Sequence, residues 1–497
     1  MKKLLSFFLA MLLIVCLSGC QTHTNGPPNN EDSSRESQSD ELESRPEAGY
    51  PAPDFAAKDY GGREFNVYYQ YGANFQYDAS SYEIFEGFTS LDHALYNRDR
   101  ELETKYNLYL NYVPEESATA YFQNALLFVL SGEGDRAYDM LYPNLENGSK
   151  LANSGALRDL STMDNMDFKA PWWYGYFIDS AKIGGKIFQA PSHTNISMVA
   201  SMMCVIFNKN LAEEYGMDNV YDLVRDGNWT MEKMIEYGRI ATADLDGDTS
   251  AIGIEDRAGI FGNAMSIDAL LLGQGLDMIT VDEDGYPAFS IDVEGHGAII
   301  DRVLTAFGSD CSLLAQRVYP DNAQANAFFM QYFMGGENLF WITAASAATN
   351  CKALEFDYGL LPLPKADEVQ PTYISYNHVY NAATVCIPVN CPDTDLASKL
   401  AEEQAYLSQL NVRDEYYSTM LKYNTMRDPE SGEMLDKISE GCVYSYVNVM
   451  RGDIAYMGAL RSAVIKGEVN LSSMLEKNEE TWSNTLQSII DIYLNLE

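Results

Sequence analysis

Positive charge is scarce in this chain: 33 Lys and Arg stand against 72 Asp and Glu in 497 residues, for a formal net charge of −39. Phosphate-rich partners demand a basic footprint, so this balance argues against nucleic acid and against an anionic membrane surface. Only five histidines occur, one of them in a polar N-terminal stretch and none in an H-E-x-x-H, which removes the usual zinc-hydrolase signature. No C-x-x-C is present, so neither a zinc knuckle nor a dithiol redox motif is indicated. A G-x-S-x-G elbow, a phosphate-cradling glycine loop and a fixed-period repeat are also missing. The longest apolar run, residues 4–17, falls short of the roughly 18–20 residues that a spanning helix needs. Carboxylates are abundant enough to hide a glycosidase-like acid/base pair, but abundance is not pairing.

What is present begins at the N-terminus. Met1-Lys2-Lys3 is a basic segment, residues 4–17 are apolar, and L-S-G-C (17–20) closes the stretch with small residues. That order is an export signal. The L-S-G-C ending resembles a bacterial lipobox. The resemblance implies that Cys20 is the first mature residue and carries the acyl chains, holding the protein on the extracellular face of the cell membrane. Residues 21–50 are polar, acidic and nearly free of large apolar groups; such a segment cannot offset its own ordering entropy and reads as a tether. Six further cysteines (Cys204, Cys311, Cys351, Cys386, Cys391, Cys442) show no disulfide framework, and those inside apolar runs read as buried free thiols.

The remainder is globular, with 46% hydrophobic residues overall, and too long for one ordinary core. R-E-F-N-V-Y-Y-Q-Y (63–71) alternates as a strand. A helix capped at Thr89 or Ser90 follows, with Leu91, Leu95, Leu102 and Tyr106 at helical spacing. Residues 107–113 read as a strand, 120–132 as a helix and 137–143 as a third strand, an order that calls for a parallel sheet. Further on, I-G-G-K (183–186) reads as a short hairpin, and M-V-A-S-M-M-C-V-I-F (198–207) as one buried strand. Residues 278–291 form a hairpin turning at Asp284-Gly285. Helices are expected at 294–308 and 321–335, strands at 338–343 and up to 365, and an apolar strand at 380–388. From about Thr394 the chain is mostly helical.

The ordered series G-G-K-I-F-x-x-P (184–191), V-I-F-N-K-N-L (205–211), G-N-W-T-M-E-K (227–233) and D-L-D-G-D (244–248) resembles the extracellular solute-binding proteins of bacterial ABC importers, family 1, the carbohydrate-binding group that includes maltose-binding protein. The resemblance covers roughly residues 60–465. It implies an α/β, two-lobed periplasmic-binding-protein-like fold of type II, each lobe a mainly parallel sheet flanked by helices and the two joined by a hinge. Residues 51–195 with 380–440 would form the N-terminal lobe, and residues 196–379 with 441–497 the C-terminal lobe. It also implies a monomeric, non-enzymatic binder that captures an oligosaccharide and delivers it to ABC permease subunits. The membrane is touched only through the lipid. Closure would bend the crossings near 193–200 and 374–384. A surface glycoside hydrolase and an adhesion lipoprotein without a small ligand are the alternatives; turnover of a bound glycan, or absence of ligand-dependent compaction, would mark them.

A sugar cleft needs aromatic faces and planar polar groups, and ligands of open parallel sheets sit beyond the carboxyl ends of the strands. The candidates are therefore Tyr69, Gln70 and Tyr71 after the first strand, and Tyr142, Asn144 and Glu146 after the third. Trp172 and Trp173 in K-A-P-W-W-Y join them, because adjacent tryptophans after a proline are not expected to enter one core together. Asn263 and Ser266, Trp341 and Thr343, Ser346 in the small-residue run that follows, and Asn377 at the return crossing complete the set. For each, an ordinary structural role is the competing reading; Trp229, before Thr230, reads as packing at a helix start. Asp244, Asp246, Asp248 and Glu255 occupy positions 1, 3, 5 and 12 of an EF-hand-like calcium loop, but Thr249 stands where that loop wants glycine. A structural calcium and a solvated acidic turn both remain open, and no other cofactor is expected.

Overall fold

Alternation in R-E-F-N-V-Y-Y-Q gives strand β1 (Arg63–Gln70) two different faces. Phe65 and Val67 are buried on one, while Tyr68 on the other stacks between Tyr121 and Tyr138. The computed structural model describes residues 50–70, 88–131, 138–248, 252–308, 310–423 and 425–495; the expected contact residue Tyr71, Cys20 and the tether lie outside them. β1 is flanked in parallel by β2 (Leu108–Glu115) and β3 (Met140–Tyr142), in the order β2-β1-β3. The helix Ser90–Tyr106 leads from β1 into β2. It starts at a capping box between Thr89 and Asp92 and stops at Asn107, which takes a left-handed φ of 46°. The sheet is continued by the return crossing, where Leu141 bridges Cys386 and Ala190 bridges Val385, both antiparallel.

The remaining strands build a second sheet and a hairpin. These are β4 (Met203–Asn208), β5 (Ala258–Gly262), β6 (Ile279–Val281), β7 (Pro287–Phe289), β8 (Ser312–Leu314), β9 (Asn338–Ala344) and β10 (Tyr358–Leu361). The second sheet runs β10-β4-β9-β5-β8. β5 pairs in parallel with β8 and β9, and β4 pairs antiparallel with β9 and β10. β4 runs against its neighbours because it is the strand on which the chain enters this lobe. β6 and β7 form the expected hairpin, with Gly285 at φ +83° in its turn.

The apolar run 198–207 divides. Its first part is the short helix Ile196–Ala200 and only Met203–Asn208 is strand. An unbroken apolar run buries equally well in either form, so its pattern cannot separate them. Two helical stretches connect the cores of the two sheets. In Ser90–Tyr106, Leu102 and Tyr106 belong to the core of β1 and β2, and Leu91 and Leu95 to the core that also holds residues of β4 and β9. The helix Thr394–Leu407 packs on the first sheet and continues through π turns at Ser408–Val412 and Glu415–Tyr423. There Val412, Tyr416 and Leu421 join the second core. The helix Pro429–Glu440 then lies against β10, so residues beyond about 412 pack with the second core. The reason is the continuous helix, which carries the chain across without a loop.

Between the sheets three segments run side by side. Met203 N–H bonds Tyr376 O and His378 N–H bonds Ser201 O, while Ser375 and Val443 tie the second segment to a third at Gly441. No helix among the described residues is long and apolar enough to cross a membrane.

Candidate ligand-binding site

Several sequence candidates are committed to the cores. Trp172 and Trp173 are 1% and 3% exposed and share one core, contrary to the expectation that one would line a cleft. Both indole N–H groups donate to the Glu402 carboxylate, each at 2.9 Å. Adjacent residues can enter one core when a single bidentate acceptor meets them. Tyr142 is fully buried and donates its hydroxyl to Gln404 at 2.5 Å. Gln404 in turn reaches Asp99 and Tyr112, and Asp99 is paired with the buried Arg98 at 2.7 Å. Tyr69 packs its edge on Tyr112, and Gln70 accepts the Asn147 amide. Trp341 stacks on Phe333 inside the second core. Thr343 is buried within β9, and Ser346 is half-buried in the turn Ala345–Ala353. Trp229 is buried and donates to Pro362 O, as a packing residue should.

Others are helix caps. Asn144 caps the helix Leu145–Asn153 that follows β3. Asn263 and Ser266 form a capping box at the helix Ala264–Gly273 after β5, where Ser266 also donates to Ile342 O. Asn377 lies in the crossing, donating to Met198 O and accepting the Tyr176 hydroxyl. These caps fix the starts of two helices, one from each lobe, and those helices carry the candidate site.

From the first lobe, Glu146 stands in the first turn of its helix, 6% exposed and ion-paired with Lys150. From the second, Asp268 is fully buried on the helix Ala264–Gly273. Arg451 donates to Asp268 at 2.6 Å, and Arg461, on the helix Tyr456–Lys466, reaches the same oxygen at 3.3 Å. Gly452 rests on the first lobe: a Cβ there would stand 2.5 Å from Glu146 and 2.2 Å from the Lys150 stem. The ring of Tyr380 lies under Arg451, 5.4 Å from centroid to guanidinium carbon. Its phenol is pushed up to about 12, chiefly by burial, with Glu146 beside its hydroxyl.

Groups from both lobes and from the crossing thus meet along one seam. Four buried polar atoms on seam residues have no protein partner: Glu146 Oε2, Asp268 Oδ1, Tyr376 Oη and His378 Nδ1. Native interiors rarely leave such atoms unpaired unless water or a ligand satisfies them. His378 is held neutral, its pKa lowered to about 3 by burial and then by the two arginines. Glu146 was reachable from the strand-end rule. Asp268, Arg451 and Arg461 carry no motif, and only the fold brings them together.

In the acidic turn, the carboxylates that converge are Asp244, Asp246 and Asp256, with ligand atoms within 4.8 Å of one another. Asp248 and Glu255, two of the four expected ligands, stand outside that group, and residues 249–251 are not described. Asp256 already accepts the N–H groups of Leu245 and Gly253, which hold its pKa down. Asp244 and Asp246 likewise accept N–H groups of their own turn.

No family model and no curated protein sequence matches the chain. Solved structures do. An ABC substrate-binding protein of Listeria monocytogenes in complex with cycloalternan aligns with a TM-score of 0.56 at 15% identity, over 86% of this chain and 99% of that one. A family 1 extracellular solute-binding protein of Bifidobacterium longum subsp. infantis gives 0.54 at 14%, covering 88% and 100%. A solute-binding protein of Thermotoga lettingae bound with alpha-D-tagatose gives 0.54 at 12%, covering 86% and 100%. At these identities the likeness is one of fold: the chain has the two-lobed α/β fold of the family 1 extracellular solute-binding proteins.

Proposed function

We propose that this protein is an extracellular solute-binding protein that captures a saccharide between its two lobes and hands it to an ABC permease. The observation that carries the reading is the seam itself. Buried polar atoms without partners, planar guanidinium and carboxylate groups, and the rings of Tyr376 and Tyr380 come from both lobes and the crossing. That is the equipment for binding hydroxyl-rich rings, and among the described residues it contains no activated nucleophile. The aligned structures include proteins solved with cycloalternan, with tagatose and with acarbose, which supports a carbohydrate as the solute class. Binding without turnover is the proposed role. In the proposal Cys20 is acylated, residues 21–50 tether the domain to the outer face of the membrane, and the protein acts as a monomer. A calcium ion in the proposal sits on Asp244, Asp246 and Asp256.

The test is a thermal-shift and calorimetric screen of residues 44–497, which form one compact unit, against mono- and oligosaccharides, with calcium or EDTA. A solute that binds only the folded state raises the melting temperature by mass action, by an amount corresponding to roughly 2.7 kcal/mol at a hundredfold excess over Kd. A shift with one saccharide class and no released product supports the reading. Release of a cleaved product sinks the non-enzymatic part, and no shift with any saccharide sinks the assignment. A fall in melting temperature with EDTA alone supports the calcium, and an unchanged one removes it.

A further inference from the structure

We infer that the saccharide taken by this seam is anionic, bearing a carboxylate or sulfate group, and that Arg461 is the residue that receives it. The inference rests on the reading of the seam as a saccharide site and narrows the solute class. Its basis is a local charge that runs against the rest of the molecule. A chain of net charge −39 repels anions at long range, so an anion-binding site in it must be built from close contacts.

Two guanidinium groups share a single carboxylate oxygen. Asp268 Oδ2 takes Arg451 at 2.6 Å and Arg461 at 3.3 Å, and the Asp268 and Arg451 side chains are 0% and 3% exposed. One buried carboxylate balances one guanidinium. The other positive charge, on an Arg461 side chain only 21% exposed, has as its second contact the sulfur of Met265 at 3.3 Å, a weak acceptor.

Among the described residues, the other acids at the seam have partners of their own. Glu146 is committed to Lys150. Asp453 accepts the Asn153 amide at 2.8 Å and lies beside Lys150, with burial raising its pKa. His378 is neutral, and the Tyr376 and Tyr380 phenols keep their protons. At Asp268 itself two guanidinium groups therefore face one carboxylate, and a partly buried cation without a full counter-ion is costly.

A ligand carboxylate or sulfate laid against the planar fork of Arg461 supplies that counter-ion through paired charge-assisted hydrogen bonds. The unpartnered Asp268 Oδ1, 0% exposed as a residue, and the Tyr376 hydroxyl, 1% exposed, then meet ring hydroxyls of the same ligand.

The experiment is calorimetric titration of residues 44–497 with three probes of matched length: an oligogalacturonide, a sulfated oligosaccharide and a neutral maltooligosaccharide. The expected result is at least tenfold tighter binding of one anionic probe than of the neutral one, with affinity falling as salt is raised. Which anionic probe wins separates carboxylate from sulfate. In Arg461→Gln the preference for the anion collapses, and Arg461→Lys, which keeps the charge but not the fork, restores part of it. Equal or tighter binding of the neutral probe by the unaltered protein overturns the inference while leaving the saccharide reading standing, and needs no variant to fold. Binding of none of the three overturns both.

Discussion

Glu402 shows how one side chain can hold a lobe together and make it sensitive to pH. Its carboxylate accepts both indoles of Trp172 and Trp173 and the backbone N–H of Asp167. Burial nevertheless dominates and raises its pKa to about 7, against 4.5 ordinarily. The folded protein thus keeps a proton on Glu402 that the unfolded chain gives up between those values. Its contribution is fully present below about pH 4.5 and is lost as pH rises toward 7, by up to roughly 3 kcal/mol. Asp277, raised to about 6 mainly by burial, acts in the same direction. Denaturation midpoints measured from pH 5 to pH 8 should fall, and Glu402→Gln should flatten the slope while lowering stability at pH 5, where one indole loses its acceptor. A slope unchanged in that variant would place the proton elsewhere. The tryptophan pair also marks a limit of sequence reading. Two adjacent large rings look like a surface or cleft feature until the acceptor that admits them, 230 and 229 residues away, is in view.

Elements obey the same logic at closer range. The helix Met231–Ala241 meets β5 where Gly238 faces Gly259, so tightly that a Cβ on Gly259 would lie 1.8 Å from the Gly238 carbonyl oxygen. Backbone cannot rotate out of the way as a side chain can. Gly259→Ala should therefore cost about 3 kcal/mol or more in urea denaturation, at the upper end of overpacking penalties. Gly238→Ala instead meets the flexible side chain of Ile260 at 2.8 Å. A helix-propensity gain of about 1 kcal/mol offsets that strain, so it should be near neutral. Equal losses from the two would show that the contact relaxes. Elements with a strong period or a cap were legible in sequence: β1, the Ser90–Tyr106 helix, the β6–β7 hairpin and the Thr230 cap all fall where the pattern puts them. The helix at Ile196–Ala200 was not, since an all-apolar run has no period to read. Nor were the π turns after Leu407, because widening a helix by one residue per turn leaves no mark in composition.

At the scale of the molecule, the order of short motifs made the two-lobed fold legible, whereas of the groups on the candidate seam the strand-end rule reaches only Glu146. The buried carboxylate and the two guanidinium groups come from residues 268, 451 and 461, distant in sequence and set in ordinary polar surroundings. The architecture also constrains how the lobes can move. A ribbon of three hydrogen-bonded segments joins them along Ser201–Met203, Ser375–His378 and Gly441–Val443. Such a ribbon bends more readily than it shears, because shear breaks the bonds between its segments. The helices Ser90–Tyr106 and Thr394–Leu407, the latter with its π continuation, add two further connections, each anchored in both cores. Opening must therefore be absorbed where helical hydrogen bonding is least regular, at Ser408–Val412, and its amplitude must be small. On the proposed function, a saccharide bridging the seam would bind the closed form better and shift the population toward it. Small-angle scattering of residues 44–497 should show a modest fall in radius of gyration at saturating ligand. Amide exchange should slow in 201–203, 375–378 and 408–412 together. A large collapse would mean that the helical connections let go. An unchanged profile, with exchange slowed only at the seam, would mean that the solute enters lobes already closed.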